Sequence, residues 1–487
     1  MSKHTYSLIA GAALVFTLGA CDMVDPSKVE NPQITQQALD ANAIGGTTPL
    51  IAGLKRYFAI AQSNTALVTD LVSDNYDNRA SYFSNILDSP REIQPGDLTL
   101  NTNAMAVPAS AANPQDGMYF YLQSLRAMAD VGLSTIVPND ATTTDDQRSE
   151  VHFYKGMALL MLAENFSAFP IAEQAAAVPA SSALAIAIEE FKTANAGTSD
   201  GTMKAATKLA LARAYRLAKD RTNAVAEAQA ALTLSPNLVF SGQFDAASLA
   251  NRCYGAAVAR SSNDIQPLPR LDFLDPKYSQ PNTPLPALKA EEAHLIIAEA
   301  ALVGGNLAGA RQSMINAITL VKSRSTLVFT DKDTRLTRPN DTSYQVKFDP
   351  TAAPKSGLIK KRGGSSQVVV RPVSGTSLTD TDITAMATAA ELYRALYLLR
   401  QEIFFFEGRR MSDLGIRLPM NQRQIDGNAM ISPGSPGTSV VVPSYIPLSD
   451  GLDQYTVDAA TKTVTITYDL NAILAANINQ ASPFLAP

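Results

Sequence analysis

The residue types that carry most enzymatic chemistry are thinly spread along this chain. Three histidines (His4, His152, His294) and two cysteines (Cys21, Cys253) occur in 487 residues. Nucleophilic catalysis needs a base held beside the nucleophile by packing. His152 and His294 instead lie among apolar neighbours at helical spacing, where an imidazole most often serves as a core or cap residue. Two cysteines do not make a metal cluster, and the sequence holds no P-loop or dinucleotide fingerprint. Glycoside hydrolysis needs two carboxylates facing one bond, yet Glu291 and Glu292 are adjacent on a predicted helix and point apart. In the run from Glu407 to Asp413, Glu407 with Arg410 and Arg409 with Asp413 fall at helical i, i+3 and i, i+4 spacing. That predicts ion pairs within and between helices rather than a ligand site. Phe404, Phe405 and Phe406 before it read as core. The formal net charge is −5 with no Lys/Arg block, which argues against a nucleic-acid partner. The expectation is a binding protein with no catalytic residues, no metal and no cofactor.

The segment best suited to touch a ligand is 74–83. Tyr76, Tyr82 and Phe83 offer flat faces for stacking, and Asp74, Asn75, Asn78 and Arg79 offer hydrogen bonds to hydroxyls or carboxylates. It has no apolar helical stripe of its own. Phe273, Tyr278 and Tyr344, in later loop-rich stretches, form a second tier. The chain lacks Trp, the strongest stacking platform, so glycan and peptide ligands both stay open.

The N-terminus predicts how these residues are delivered. Lys3 and His4 precede an apolar stretch, Tyr6 to Leu18, that is too short to span a bilayer as a helix. It ends in Leu18-Gly19-Ala20-Cys21. Small residues just before a cysteine resemble the bacterial lipobox, where the thiol is lipidated and cleavage leaves the cysteine first. The expected organisation is a lipoprotein signal peptide over 1–20, a lipidated tether over 21–48 starting at Cys21, and one domain over 49–487. No later run is long and apolar enough for a transmembrane helix, so the lipid is the expected membrane attachment. Cys253 is left as an unpaired thiol, expected to act as a small buried hydrophobe.

The clearest pattern is a repeat. Pro49 to Val72 carries Leu50, Leu54, Phe58, Leu67 and Leu71 at helical spacing and predicts a core helix. Helical patterns also cover 115–133, 145–166 and 391–414. Lys208 to Pro236 matches the tetratricopeptide pattern, a helix pair of roughly 34 residues with small and apolar residues at fixed positions. Leu211, Ala212, Tyr215, Ala224, Ala231 and Pro236 fall in place, while Lys208 and Ala228 depart from it. Glu291 to Ser323 repeats the spacing with Ile297, Ala298, Ala301, Ala310, Met314 and Ala317, and Gly305 at the turn. Alanines let paired helices approach closely, and Pro236 stops the second helix. Regions at about 240–288 and 326–378, rich in Pro, Gly and short apolar runs, read as insertions on the scaffold. The fold class is mostly α: a tetratricopeptide-like helical-repeat array with irregular, loop-rich insertions.

Taken in order, four segments resemble the SusD/RagB family of nutrient-binding outer-membrane lipoproteins. The first is the lipobox with its Pro-containing tether. The second runs from Glu150 through Asn165-Phe166 to Phe169-Pro170. The third is Phe273-Leu274-Asp275-Pro276-Lys277, with Lys where the family has Arg, followed by the helix at Glu292 to Ala300. The fourth is Arg400-Gln401-Glu402 through Phe406-Glu407-Gly408-Arg409-Arg410 to Asp413-Leu414. The tail departs, with Ser449-Asp450 after Ile446-Pro447 where the family carries an acidic, Asn-Pro-rich ending. The resemblance implies a surface-exposed lipoprotein of the outer membrane that captures an oligosaccharide or oligopeptide. It would deliver this nutrient to a TonB-dependent SusC-like transporter, closing over the barrel as a lid. It also implies that the loop after the first core helix, the 74–83 segment, helps to form the pocket. The alternative reading of the repeats is a lipid-anchored tetratricopeptide scaffold for envelope protein assembly.

Overall fold

The structure is a computed structural model that describes residues 45–78, 85–98, 117–258, 265–331, 338–449 and 451–486. Cys21 and the expected signal peptide lie outside these residues.

Helix α1 (Thr47–Val72) is the spine. Its first half buries one face through Leu50, Ile51, Leu54 and Phe58, and from Gln62 onward every residue is buried. A helix buried all round must satisfy its own polar side chains. Asn64, Thr65 and Thr69 do so by donating to the carbonyls of Ile60, Ala61 and Thr65, one turn back. Helices α2 (Met118–Val131) and α3 (Asp145–Asn165) flank the spine, and α3 opens with a Thr144/Gln147 capping box.

Three helix pairs follow from α3 onward. The first is α3 with α4 (Ala180–Gly197), the second α5 (Gly201–Leu217) with α6 (Arg221–Leu234), and the third α7 (Ala290–Val303) with α8 (Leu307–Ser323). The second and third are the two repeats read from the sequence. Their turns share one hydrogen-bond pattern. The N–H groups of Ala218, Lys219 and Asp220 donate to the carbonyls of Ala214, Arg216 and Tyr215; those of Gly304, Gly305 and Asn306 donate to Ala300, Leu302 and Ala301. Asp220 and Asn306 then cap the second helix of each pair. Lys219 and Gly305 hold the same left-handed position, at φ 65° and 74°. Ala212, Ala224, Ala231, Ala298, Ala310 and Ala317 are all buried between helices. The first pair shows the same demand for small residues, since a Cβ at Gly156 would lie 2.6 Å from the Phe191 ring.

Short strands carry the remaining chain: β1 (Tyr76–Asn78), β2 (Val239–Gly242), β3 (Ile265–Pro267) and β4 (Leu285–Lys289). β1 pairs antiparallel with β3, and β2 with β4. In the later insertion region β5 (Leu327–Thr330), β6 (Gln345–Lys347) and β7 (Gln367–Val370) follow, and near the C-terminus β8 (Tyr455–Asp458) and β9 (Thr463–Ile466). β5 pairs with β7, while β9 sits between antiparallel β8 and parallel β6. The fold is thus mostly α, with small two- and three-stranded sheets.

The single helix expected over 391–414 is interrupted. Helix α9 (Ala389–Ile403) ends, the chain turns through Phe406 at φ 57° and Gly408 at φ 77°, and one further turn of helix covers Arg410–Asp413. Gly408 lies against α1, where a Cβ would come within 3.1 Å of Thr65 and 3.3 Å of the Ala66 backbone. The periodicity carries no sign of this break, because Phe404, Phe405 and Phe406 are all core either way.

Candidate functional site

The residues singled out from the sequence divide sharply. Asp74 and Asn75 are fully buried, and Tyr76 is 1% exposed. The Tyr76 ring stacks on Phe405 at 5.2 Å between centroids and tilts on Phe406 at 4.7 Å, while its hydroxyl donates to Asp275 at 3.0 Å. These three are therefore core, not the exposed platform the sequence suggested. The cause is that α1 leads directly into β1, and the interrupted helix at 404–409 closes over it. Phe273 and Tyr278 are also buried, the latter donating its hydroxyl to the Phe406 carbonyl at 2.9 Å. Tyr344 is half-buried against the core. Asn78 ends β1, but its side chain, with Arg79, Tyr82 and Phe83, lies outside the described residues.

What these buried groups form is an ion network joining distant motifs. Asp74 accepts from Arg410 Nε and Nη2 at 2.6 and 3.0 Å, from Arg270 Nη2 at 2.6 Å and from Gln401 Nε2 at 3.0 Å. Burial raises the Asp74 carboxyl, but the Arg410 and Arg270 guanidinium groups outweigh it and hold it below the ordinary carboxylate value. Asp70 accepts from Asn75 and from the N–H groups of Phe406 and Gly408, fixing the left-handed turn. Burial still dominates there and pushes Asp70 up to about 7. Glu407 pairs with Lys277 and Lys289, Arg409 with Glu292, and Asp413 with Arg400 through two bonds of 2.8 Å. Of the pairs within and between helices that the spacing predicts, those between elements are the ones formed; Glu407 is separated from Arg410 by the break, while Arg409 and Asp413, on one turn, each pair outward with Glu292 and Arg400. Every one of these charges is buried, so the network positions the fold and offers no accessible chemistry.

An open cavity of about 770 Å³ lies elsewhere, within the size range of small-ligand sites. Its walls come from four places: Lys55, Arg56 and Phe58 of α1; Asp146, Gln147, Glu150 and Tyr154 of α3; Thr198, Asp200, Thr202 and Met203 around the α4–α5 junction; and Val239 to Asp245 with Ser248 and Leu249, on β2 and the turn after it. Phe58 and Tyr154 form a buried aromatic base, 5.4 Å apart, on which Phe240 packs at 6.1 Å from Phe58. Phe240 and Phe244 are half-buried. The β2–β4 register shifts between Phe240 and Ser241, a bulge that re-aims the side chains beyond it. Gly242 is required where β2 crosses α1: its N–H donates to Gln62 Oε1 at 3.1 Å, and a Cβ would lie 2.5 Å from that oxygen.

The rim of the cavity is polar and largely spoken for. Lys55 pairs with Glu150 at 2.9 Å, and Arg56 donates to the Ser248 carbonyl at 2.9 Å. Asp146 accepts from the Ser199 N–H at 2.6 Å, the Ser199 hydroxyl at 2.7 Å and the Thr198 hydroxyl at 3.0 Å. Asp245 accepts from the N–H groups of Ser248 at 2.8 Å and Ala247 at 3.0 Å. The Ser199 and Ser248 N–H groups are the chief reason that Asp146 and Asp245 sit below the ordinary carboxylate value. Asp200 caps α5 through the Met203 N–H at 2.7 Å. Aromatic faces beside ionised carboxylates and hydroxyls suit a ligand with apolar C–H faces and hydrogen-bond donors.

Reading the sequence missed this cavity. The one local signal is Phe240 and Phe244 flanking Gly242 just after the stop at Pro236, while the facing residues come from helices up to about 190 positions away. His152 is bonded to Glu190, and His294 is half-buried on α7, with its pKa lowered by burial. Cys253 is buried beside the Ser63 carbonyl. Among the described residues, no group of three or more His, Cys, Asp or Glu is placed to hold a metal ion, and no helix is long and apolar enough to cross a membrane.

No family model and no curated protein matches the sequence. Solved structures match in fold. A SusD superfamily protein from Bacteroides vulgatus ATCC 8482 aligns with a TM-score of 0.52 at 11% identity, over 80% of this chain and 99% of that one. Another protein of that organism, provisionally named as sugar binding, gives 0.51 at 14% identity, over 80% and 98%. A SusD-like protein from Bacteroides fragilis NCTC 9343 gives 0.50 at 11% identity, over 79% and 96%. At such identities the likeness is one of fold, and it spans almost the whole of each neighbour. The chain carries the SusD-like fold that the order of its four motifs implied.

Proposed function

We propose that this protein captures an oligosaccharide nutrient at the cell surface and passes it to a TonB-dependent SusC-like transporter, held to the outer membrane by a lipid on Cys21. The observation that carries the reading is the SusD-like fold over nearly the full length of its structural neighbours, one of them named for sugar binding. The cavity between α1, α3 and β2 supports it, with half-buried phenylalanines beside hydrogen-bonding groups on walls braced by packed helices. Capture of this kind needs no bond to be broken. It needs a preformed surface, and the Asp70 and Asp74 carboxylates, which tie the end of α1 and the residues after it to Phe406 and Arg410, stiffen the helix that carries Lys55, Arg56 and Phe58. In this reading Arg79, Tyr82 and Phe83, which lie outside the described residues, are further ligand contacts.

The test has two arms. Cys21→Ala should move the protein from the membrane to the soluble envelope fraction; a variant that still sediments with membranes at high salt refutes the lipid anchor. In cells, deleting the gene should abolish uptake of one class of oligosaccharide, and pull-down of the lipoprotein should bring a large β-barrel protein with it. Unchanged uptake of every oligosaccharide offered refutes the capture role.

A further inference from the structure

The charge pattern of the cavity bears on which sugars it can hold. Four carboxylates line it, Asp146, Glu150, Asp200 and Asp245, against two cations, Lys55 and Arg56. Lys55 pairs with Glu150, and Arg56 keeps its charge while donating one N–H to the Ser248 carbonyl, so four carboxylates against two cations leave the lining with a net charge of −2. Asp146 and Asp245 are tied down by neighbouring N–H groups that favour their charged form. The rim therefore presents acceptors and a negative field, and a ligand must bring donors. A sugar hydroxyl brings one; a uronate, sialate or sulfate brings further negative charge against these carboxylates. Phe240 and Phe244 supply apolar area for the C–H face of a ring, which needs no charge at all.

We infer that the cavity between α1, α3 and β2 selects uncharged sugar segments and rejects acidic ones. This rests on the capture reading and narrows its ligand class.

The experiment is calorimetric titration of the mature lipoprotein in detergent with three tetrasaccharide sets. One is neutral (the β-1,4-linked glucose, xylose and mannose forms and the α-1,4-linked glucose form), one acidic (tetragalacturonate), and one cationic (fully deacetylated chitotetraose). At least one neutral member should bind, with tetragalacturonate at least tenfold weaker. Binding of the neutral ligand should change less than twofold between 50 and 500 mM salt, because screening acts on charge pairs. Phe244→Ala should weaken it severalfold, and Asp146→Asn with Asp245→Asn should narrow the gap between neutral and acidic ligands. Tetragalacturonate binding as tightly as the neutral set overturns the inference while leaving glycan capture standing. So does chitotetraose binding most tightly with a steep loss in salt, which makes the negative rim a cation site. Neutral binding that ignores Phe244→Ala and both aspartate variants places the ligand elsewhere and also overturns it. Failure of all three sets to bind sinks the capture reading itself.

Discussion

Replacing Asp74 by Asn removes one charge and keeps the volume of the side chain. In the folded protein Asp74 is fully buried and answers two guanidinium groups at once, Arg410 and Arg270. After the substitution Arg270 keeps the more distant Asp469 carboxylate at 3.5 Å, and Arg410 keeps the Asn471 side-chain oxygen at 2.9 Å. Removing one partner of a buried ion pair typically costs about 3–5 kcal/mol, since the remaining charge stays desolvated. The unfolding entropy at the midpoint is about 2.1 cal/mol/K per residue, so a chain of 487 residues loses roughly 1 °C of Tm per kcal/mol. Asp74→Asn should thus lower Tm by about 3–5 °C in a calorimetric scan. Lys322→Ala, which breaks the exposed pair with Asp380, should shift it by about 1 °C or less. The sign with pH follows from the lowered carboxyl: its stabilisation is present above the unfolded value of 3.8 and is lost as pH falls through the lower folded value. Wild type and variant should therefore keep a constant gap at higher pH and converge only as pH drops below the unfolded value of 3.8. A variant with unchanged Tm and lost ligand binding would refute this reasoning, because Asp74 would then be acting at a surface.

Three further outcomes follow from the packing, the turn at Lys219 and the buried Asp70 carboxylate. Ala212→Leu should overpack the contact between α5 and its neighbours and cost about 1–3 kcal/mol, while Lys219→Gly, at φ 65°, should leave Tm unchanged or raise it slightly. For Asp70 the folded carboxyl sits near 7 against 3.8 when unfolded, so the folded state binds the extra proton and this group's contribution falls as pH rises from about 4 to 7. Asp70→Asn should gain relative to wild type between pH 5 and pH 8; parallel Tm curves would mean that Asp70 ionises normally.

The helical repeat was legible because its signal is local. Ala212, Ala224 and Ala231, or Ala298, Ala310 and Ala317, sit at spacings fixed by the geometry of two touching helices, and the turn between them needs one left-handed residue. The pair at 290–323 starts one residue from its expected bound, while the other begins seven residues earlier than Lys208, at Gly201. The order of the four family-like segments was legible for a related reason. The third and fourth meet in space, with Lys277 on Glu407 and Tyr278 on the Phe406 carbonyl, so each is held to its pattern by the other. The break after Ile403 was not legible. Its determinants are a carboxylate at position 70, which accepts from two N–H groups of the turn, and the close approach of Gly408 to Ala66. Neither leaves a trace in the periodicity of 391–414.

The misplacement of Tyr76 shows where reading residue types stops working. An aromatic side chain beside Asp, Asn and Arg is what a sugar-binding loop looks like, and equally what a buried polar network looks like, since both need flat apolar area with hydrogen-bonding groups at its edge. The two differ in what covers the segment. For Tyr76 the cover is Asp275, 199 positions away, and for Asp74 it is Arg410, 336 positions away. Composition within ten residues cannot report partners at that range. The cavity gives the converse case. Its Phe240 and Phe244 stand in a short run with nothing unusual about it, and they come to line an open cavity beside Tyr154 where Gly242 lets β2 cross α1 closely. A binding site on a repeat scaffold is set by where the insertions land. The residues that steer the landing, a glycine at a crossing or an aspartate under a turn, are therefore as decisive as those that touch the ligand.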